Sequence, residues 1–190
     1  MTRRWLIAVA PLVVAGCGGA SADRPAVFQV SSRPNEVATA FALGPERMVT
    51  VAHVLEGRSV RLQDGRRATV ESVDQANYLA VLSVPGLRSP QARLGTAAGE
   101  VKVLVVRRGR ITALPAQVRR AINARIRTPD GRRVVRRPAI ELAVEIDPGD
   151  SGAPVVAGDG SVVGVVFAQS TRRADTAYAV RALAALPADR

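Results

Sequence analysis

From residue 27 onward the chain alternates between short apolar runs and turn-forming residues. Residues 27–30, 38–43 and 47–51 are apolar or alternating stretches of strand length, and Gly44-Pro45-Glu46 separates the second from the third. Residues 58–62 and 67–73 flank Gln63-Asp64-Gly65-Arg66 and read as a hairpin. A run at 79–84 ends at Pro85-Gly86. Further on, 101–106, 115–122, 124–128, 134–135 and 140–145 are candidate strands, with Thr128-Pro129-Asp130-Gly131 as a hairpin turn in which proline presets one dihedral and glycine supplies a positive one. The last strands are 153–156 and 162–168, joined through Gly158-Asp159-Gly160, and then 176–180. Residues 181–186 predict a short C-terminal helix. Many short strands with no helical repeat and no βαβ alternation predict an all-β domain of sandwich or barrel type.

Ahead of these strands the pattern changes. Arg3 and Arg4 give a positive start, residues 5–15 form a short apolar run, and Val14-Ala15-Gly16-Cys17 sets small residues before a cysteine. A membrane-crossing helix needs roughly 20 apolar residues, so the run predicts a targeting leader. Its ending resembles the lipobox of bacterial lipoproteins. That resemblance implies a signal peptide over 1–16, acylation of Cys17, and anchoring at the extracytoplasmic face of a bacterial membrane. An ordinary cleaved signal peptide is the other reading. Residues 17–25, rich in small residues from Gly18 to Ala22, suit a flexible tether. Cys17 is the only cysteine, so an exported domain would carry no disulfide.

Candidate chemistry concentrates in Asp147-Pro148-Gly149-Asp150-Ser151-Gly152-Ala153-Pro154, where a serine stands between glycines just before an apolar run. Glycines let a carbonyl approach a nucleophilic serine and let the backbone aim two amides at the oxygen that becomes negative. The amides of Gly149 and Ser151 are the expected oxyanion donors. The only histidine, His53, lies in Thr50-Val51-Ala52-His53-Val54, early in the chain where the serine is late. A Gly-rich hairpin turn and a structural histidine are the plain alternatives for these two segments. Together the motifs resemble those of the trypsin-like serine proteases, particularly the bacterial HtrA-type branch. Leu79-Ala80-Val81-Leu82 matches the strand after that family's catalytic aspartate, and Gly164-Val165-Val166-Phe167-Ala168 matches the strand beside its substrate pocket.

The resemblance covers residues 27–180. It implies two antiparallel β-barrels over 26–186, the first about 26–88 and the second about 100–180, with 89–100 as the connection. It leaves no length for the PDZ domain that HtrA-type proteases commonly carry. Ser151 would be the nucleophile and His53 the base. Phe167, Ala168 and Gln169 would border the substrate, with Ala177 and Tyr178 at the far side of the pocket. No acidic residue is placed at the pocket base, so a small or apolar residue before the scissile bond is expected. Asp150 resembles the aspartate that trypsin pairs with a freed N-terminus, a route closed to a chain that begins far away at an acylated Cys17. No cofactor and no metal are implied. One departure stands out. Tyr78 occupies the position of the family's aspartate, and a phenol supplies no anion for the imidazolium. Asp74 is the candidate third member if the loop is re-routed, and Asn77 could hold the ring without charge. The alternative to an endopeptidase is a pseudoprotease that binds peptides or acts as an envelope adaptor.

Charge adds one expectation. The net charge is +11, carried almost wholly by arginines, many of them between Arg107 and Arg137. On strands these predict a basic face. Export and few aromatics for base stacking argue against nucleic acid, which leaves protein or peptide substrates, the membrane through Cys17, and anionic lipids or envelope polymers as partners. Ordinary surface solvation by arginine is the other reading.

Overall fold

The computed structural model describes residues 24–33, 36–75, 77–127 and 132–181. Cys17, the leader, the turn at 128–131 and all but the first residue of the expected C-terminal helix lie outside them. Twelve strands are present among the described residues. β1 (Val27–Arg33), β2 (Glu36–Gly44), β3 (Arg47–Val51), β4 (Ser59–Leu62), β5 (Arg67–Asp74) and β6 (Leu79–Ser83) close an antiparallel barrel in the order β1-β2-β3-β6-β5-β4. β7 (Glu100–Arg107), β8 (Arg110–Arg127), β9 (Val134–Ala143), β10 (Pro154–Val156), β11 (Val162–Gln169) and β12 (Thr176–Val180) close a second, in the order β10-β11-β12-β9-β8-β7. Among the described residues no helix is long and apolar enough to cross a membrane.

The apolar runs read as continuous because several strands bury both faces. Successive side chains on a strand point to opposite faces. On β3 and β6, Met48 and Leu82 fill the inside of the first barrel, whereas Val49, Val51, Leu79 and Val81 turn outward. There they meet Leu104, Val106, Val165 and Phe167 of the second barrel in a shared core. The second barrel has its own interior around Val103, Ile140, Leu142 and Val155.

One division expected from the sequence is absent. The expected strands 115–122 and 124–128 run together: their described residues, up to 127, belong to a single strand, β8, and the pieces around 134 and 140 belong to β9. Asn123 does not interrupt β8 because it pairs with Pro138 in an unbroken stretch of register. Pro138 turns its carbonyl toward the Arg181 amide at 3.1 Å, away from β8, so its missing N–H costs the β8–β9 ladder nothing. Pairing with β7 stops at Gln117. Beyond that point β8 and β9 continue as a two-stranded arm, whose Ile122, Ala124 and Ile126 pack against the shared core.

Candidate active site at the junction of the barrels

β3 ends in a 3-10 turn, Ala52–Val54, that carries His53. The Ala52 amide donates to the Tyr78 carbonyl at 2.9 Å, so this turn hangs from the main chain of Tyr78. The His53 residue is open to solvent on one side, and its ring stacks on that of Tyr78 with centroids 5.2 Å apart and planes inclined by 26°. Partial burial holds the His53 pKa below its ordinary value.

Tyr78 is buried and has a left-handed backbone, φ 63°. That conformation costs a bulky residue about 1–2 kcal/mol. The Arg137 guanidinium lies 4.9 Å from the Tyr78 ring centroid in a cation–π contact. Arg137 is only 1% exposed, donates to the Gln75 carbonyl at 3.3 Å, and leaves Nε and Nη1 without a partner among the described residues. Asp74 ends β5. Its two carboxylate oxygens accept the Asn77 amide at 2.9 Å and Asn77 Nδ2 at 2.6 Å. Among the described residues no hydrogen bond links Asp74 or Tyr78 to His53.

Ser151 lies in the turn between β9 and β10, and this turn is fastened to the first barrel. The Thr39 amide donates to the Ser151 carbonyl and the Thr39 hydroxyl to the Gly149 carbonyl, each at 2.8 Å. Thr50, three residues before His53, donates its hydroxyl to the Thr39 carbonyl at 2.8 Å. Thr39 therefore joins the histidine strand to the serine turn. Glycine is required at 152, where φ is +91° and a Cβ would stand 1.9 Å from the Thr39 carbonyl oxygen. The amides of Gly149 and Ser151 donate to no protein acceptor among the described residues, and so both are available to an oxyanion. No hydrogen bond joins the Ser151 hydroxyl to His53 among the described residues.

Asp150 is 2% exposed and accepts from Arg107 Nη2 and from the Asp147 amide, at 2.7 and 2.8 Å. Arg107 also pairs with Asp147 at 3.0 Å. The cation that holds the aspartate of the serine turn thus comes from the end of β7 within the domain. Sequence reading placed Arg107 on a basic face. The signal that could have found it was Asp150, an acid beside the nucleophile that calls for a cation once it is buried. Arg137 was also read as part of that face and is buried instead. Arg119 and Arg120 are likewise drawn to Glu141 and Asp175. Arg137 therefore lies off that face, and Arg107, Arg119 and Arg120 are engaged by carboxylates at it.

A cleft of about 810 Å³ opens beside His53 and Tyr78. Phe167, Ala168 and Gln169 line it, and Tyr178 faces Phe167 with ring centroids 6.4 Å apart. The ladder from β11 to β10 ends at Val165, and Val166 makes two more main-chain bonds, accepting from Gly152 and donating to Ala153. Past Val166 this edge of β11 has no protein partner among the described residues, leaving a strand edge on which a peptide can pair. Among the described residues no three His, Cys, Asp or Glu side chains gather where an ion could be held.

Two closed barrels, with a histidine turn on one and a glycine-flanked serine turn on the other, are the plan of the trypsin-like peptidases. The chain belongs to that family, whose peptidase domain it matches over residues 38–165. It is similar to the serine protease Rv3671c of Mycobacterium tuberculosis strain H37Rv, with 33% identity over 179 residues covering 85% of this chain and 45% of that protein. It therefore spans less than half the length of that relative. The crystal structure of the Rv3671c protease in its active form superposes with a TM-score of 0.76 at 30% identity, over 100% of this chain and 94% of that one. The HtrA-type protease AlgW with a tripeptide shares the fold, with a TM-score of 0.67 at 22% identity over 87% of this chain and 59% of its own.

Proposed function

We propose that the chain is a serine endopeptidase of the bacterial cell envelope, tethered through an acylated Cys17. Ser151 Oγ attacks the scissile carbonyl while His53 takes its proton. His53 then returns that proton to the leaving amine, and water releases the acyl group by the same route in reverse. The carbonyl oxygen, negative in the tetrahedral intermediate, is held by the amides of Gly149 and Ser151, a donor in such a pair being worth about 3 kcal/mol. The observation that carries this reading is the serine turn itself, with both amides free and its carbonyls fastened through Thr39 to the strand that ends in His53.

Labelling with a fluorophosphonate tests it. Wild type is expected to label and Ser151→Ala and His53→Ala to stay blank. A folded wild type that does not label overturns the enzyme reading. The anchor is checked by fractionation with a fatty-acid analogue: label and membrane association are expected in wild type and are lost in Cys17→Ser.

A peptide-binding pseudoprotease is the second reading, favoured by the environment of Tyr78. Position 78 brings no carboxylate to His53, and the ring that stacks on His53 carries the buried Arg137 cation on its face. Both features disfavour an imidazolium, so turnover by wild type is expected to be slow. Asp74 serves as third member only if its carboxylate leaves Asn77.

A further inference from the structure

The cleft beside His53 is rimmed by arginines. Arg120, Arg125 and Arg172 line it, and Arg173 stands next to them on the β11–β12 loop. The one carboxylate among the described lining residues, Glu141, has a side chain 4% exposed and is already saturated. It accepts Arg120 Nη2 and Arg173 Nη2, each at 2.8 Å, and their guanidinium groups hold its carboxyl below the usual carboxylate range. Arg119 pairs with Asp175. Five guanidiniums thus meet two carboxylates along this wall. Arg125 and Arg172, both exposed, have no acidic partner among the described residues. A cleft lined by one sign of charge concentrates ligands of the other.

We infer that the cleft selects peptide segments with an apolar residue against Phe167 and Tyr178 and acidic residues farther along, toward Arg125 and Arg172. The inference deepens the peptidase reading and rests on it, because the free edge of β11 is taken as the place where the substrate backbone pairs. That edge favours a peptide over other anionic polymers: it offers main-chain donors and acceptors at strand spacing, which only a peptide backbone matches. The apolar pair Phe167 and Tyr178 next to it has no use for a uniformly charged polymer. Glu141 does not oppose an incoming acid, since its charge is spent on Arg120 and Arg173. The acidic side chains are expected in the few residues preceding the scissile bond, the stretch that would lie along residues 167–169 and on toward the β11–β12 loop.

The test uses internally quenched peptides of one sequence in which those positions are Asp and Glu, Ala, or Lys. Binding to the Ser151→Ala protein is read by fluorescence anisotropy and cleavage is read with wild type. The acidic peptide is expected to bind about ten-fold more tightly than the Ala peptide at low salt, and the Lys peptide more weakly than either. The gap should narrow toward 1 M salt, where the screening length falls to about 3 Å. Arg125→Glu and Arg172→Glu should each reduce the preference and together reverse it. Arg88→Glu, the same charge change on an exposed residue outside the cleft lining, should leave it intact. Equal binding of acidic and neutral peptides, an unchanged preference in the double variant, or no binding of any peptide overturns the inference. Acidic peptides that bind but are never cleaved by wild type overturn the peptidase reading alone. Cleavage indifferent to charge overturns the selectivity alone.

Discussion

If His53 is the base proposed above, Tyr78 limits how much chemistry it can do. A triad that loses its carboxylate loses about 10⁴ in rate, so Tyr78→Asp is the direct test. The backbone favours the change, because aspartate tolerates the left-handed φ of 63° better than tyrosine does. The neighbourhood opposes it, because Arg137 is close enough to claim the new carboxylate from His53. Tyr78→Asp alone is therefore expected to raise turnover only modestly, and Tyr78→Asp with Arg137→Met by up to about 10⁴. Arg137→Met should not reduce stability, since replacing a buried guanidinium with unmet donors by an apolar group of similar size is often neutral or favourable. Steady-state rates and urea midpoints of the three variants check this. The pH profile supplies a second signature. Burial lowers the His53 pKa, so the acid limb of kcat/KM should fall below about pH 6.5 in wild type and move upward once a carboxylate stands at 78. The sign for stability is the same: with the folded pKa lowered by burial, the contribution of His53 is complete above the unfolded value of about 6.5 and is lost as the pH falls from there through the lower folded value.

At the scale of elements, the end of β7 and the serine turn are one unit. Arg107→Ala would leave Asp150 as a buried, uncompensated charge. Breaking such a pair costs about 3–5 kcal/mol when fully buried, and about 2–3 kcal/mol is expected here because the Arg107 side chain is 34% exposed. Asp150→Asn in the same background should recover part of that stability, as thermal melts would show, without restoring fluorophosphonate labelling. This unit was half legible in the sequence. Gly149, Ser151 and Gly152 announce themselves because each residue type answers a local demand of the turn, and His53 because it is the only imidazole. Arg107 and Arg137 did not, since nothing in a run of arginines says which one a distant buried group will recruit. The same holds for β8. Asn123 looks like a break when propensity is read along the chain, and only pairing across to β9 shows that it is not.

For the molecule as a whole, the two barrels share a core and meet again at Thr39, so the site cannot loosen without disturbing the joint between them. Gly152→Ala places a methyl group against the Thr39 carbonyl and the Thr50 hydroxyl in a backbone that only glycine adopts freely. A loss of at least about 2 kcal/mol is expected, with activity and melting temperature falling together. Gly158→Ala, where an added Cβ meets nothing within 4 Å, should change neither. Differential scanning calorimetry of the two variants makes the comparison. The bare edge of β11 bears on a different matter, the company the protein keeps. An unpaired strand edge is a template on which another copy of the same chain can build, and natural sheets guard such edges with charge. Here the guard is Arg125 and Arg172, since two copies approaching edge to edge would bring the same guanidiniums face to face. An edge that is to admit a peptide is thereby expected to turn away a second copy of the chain.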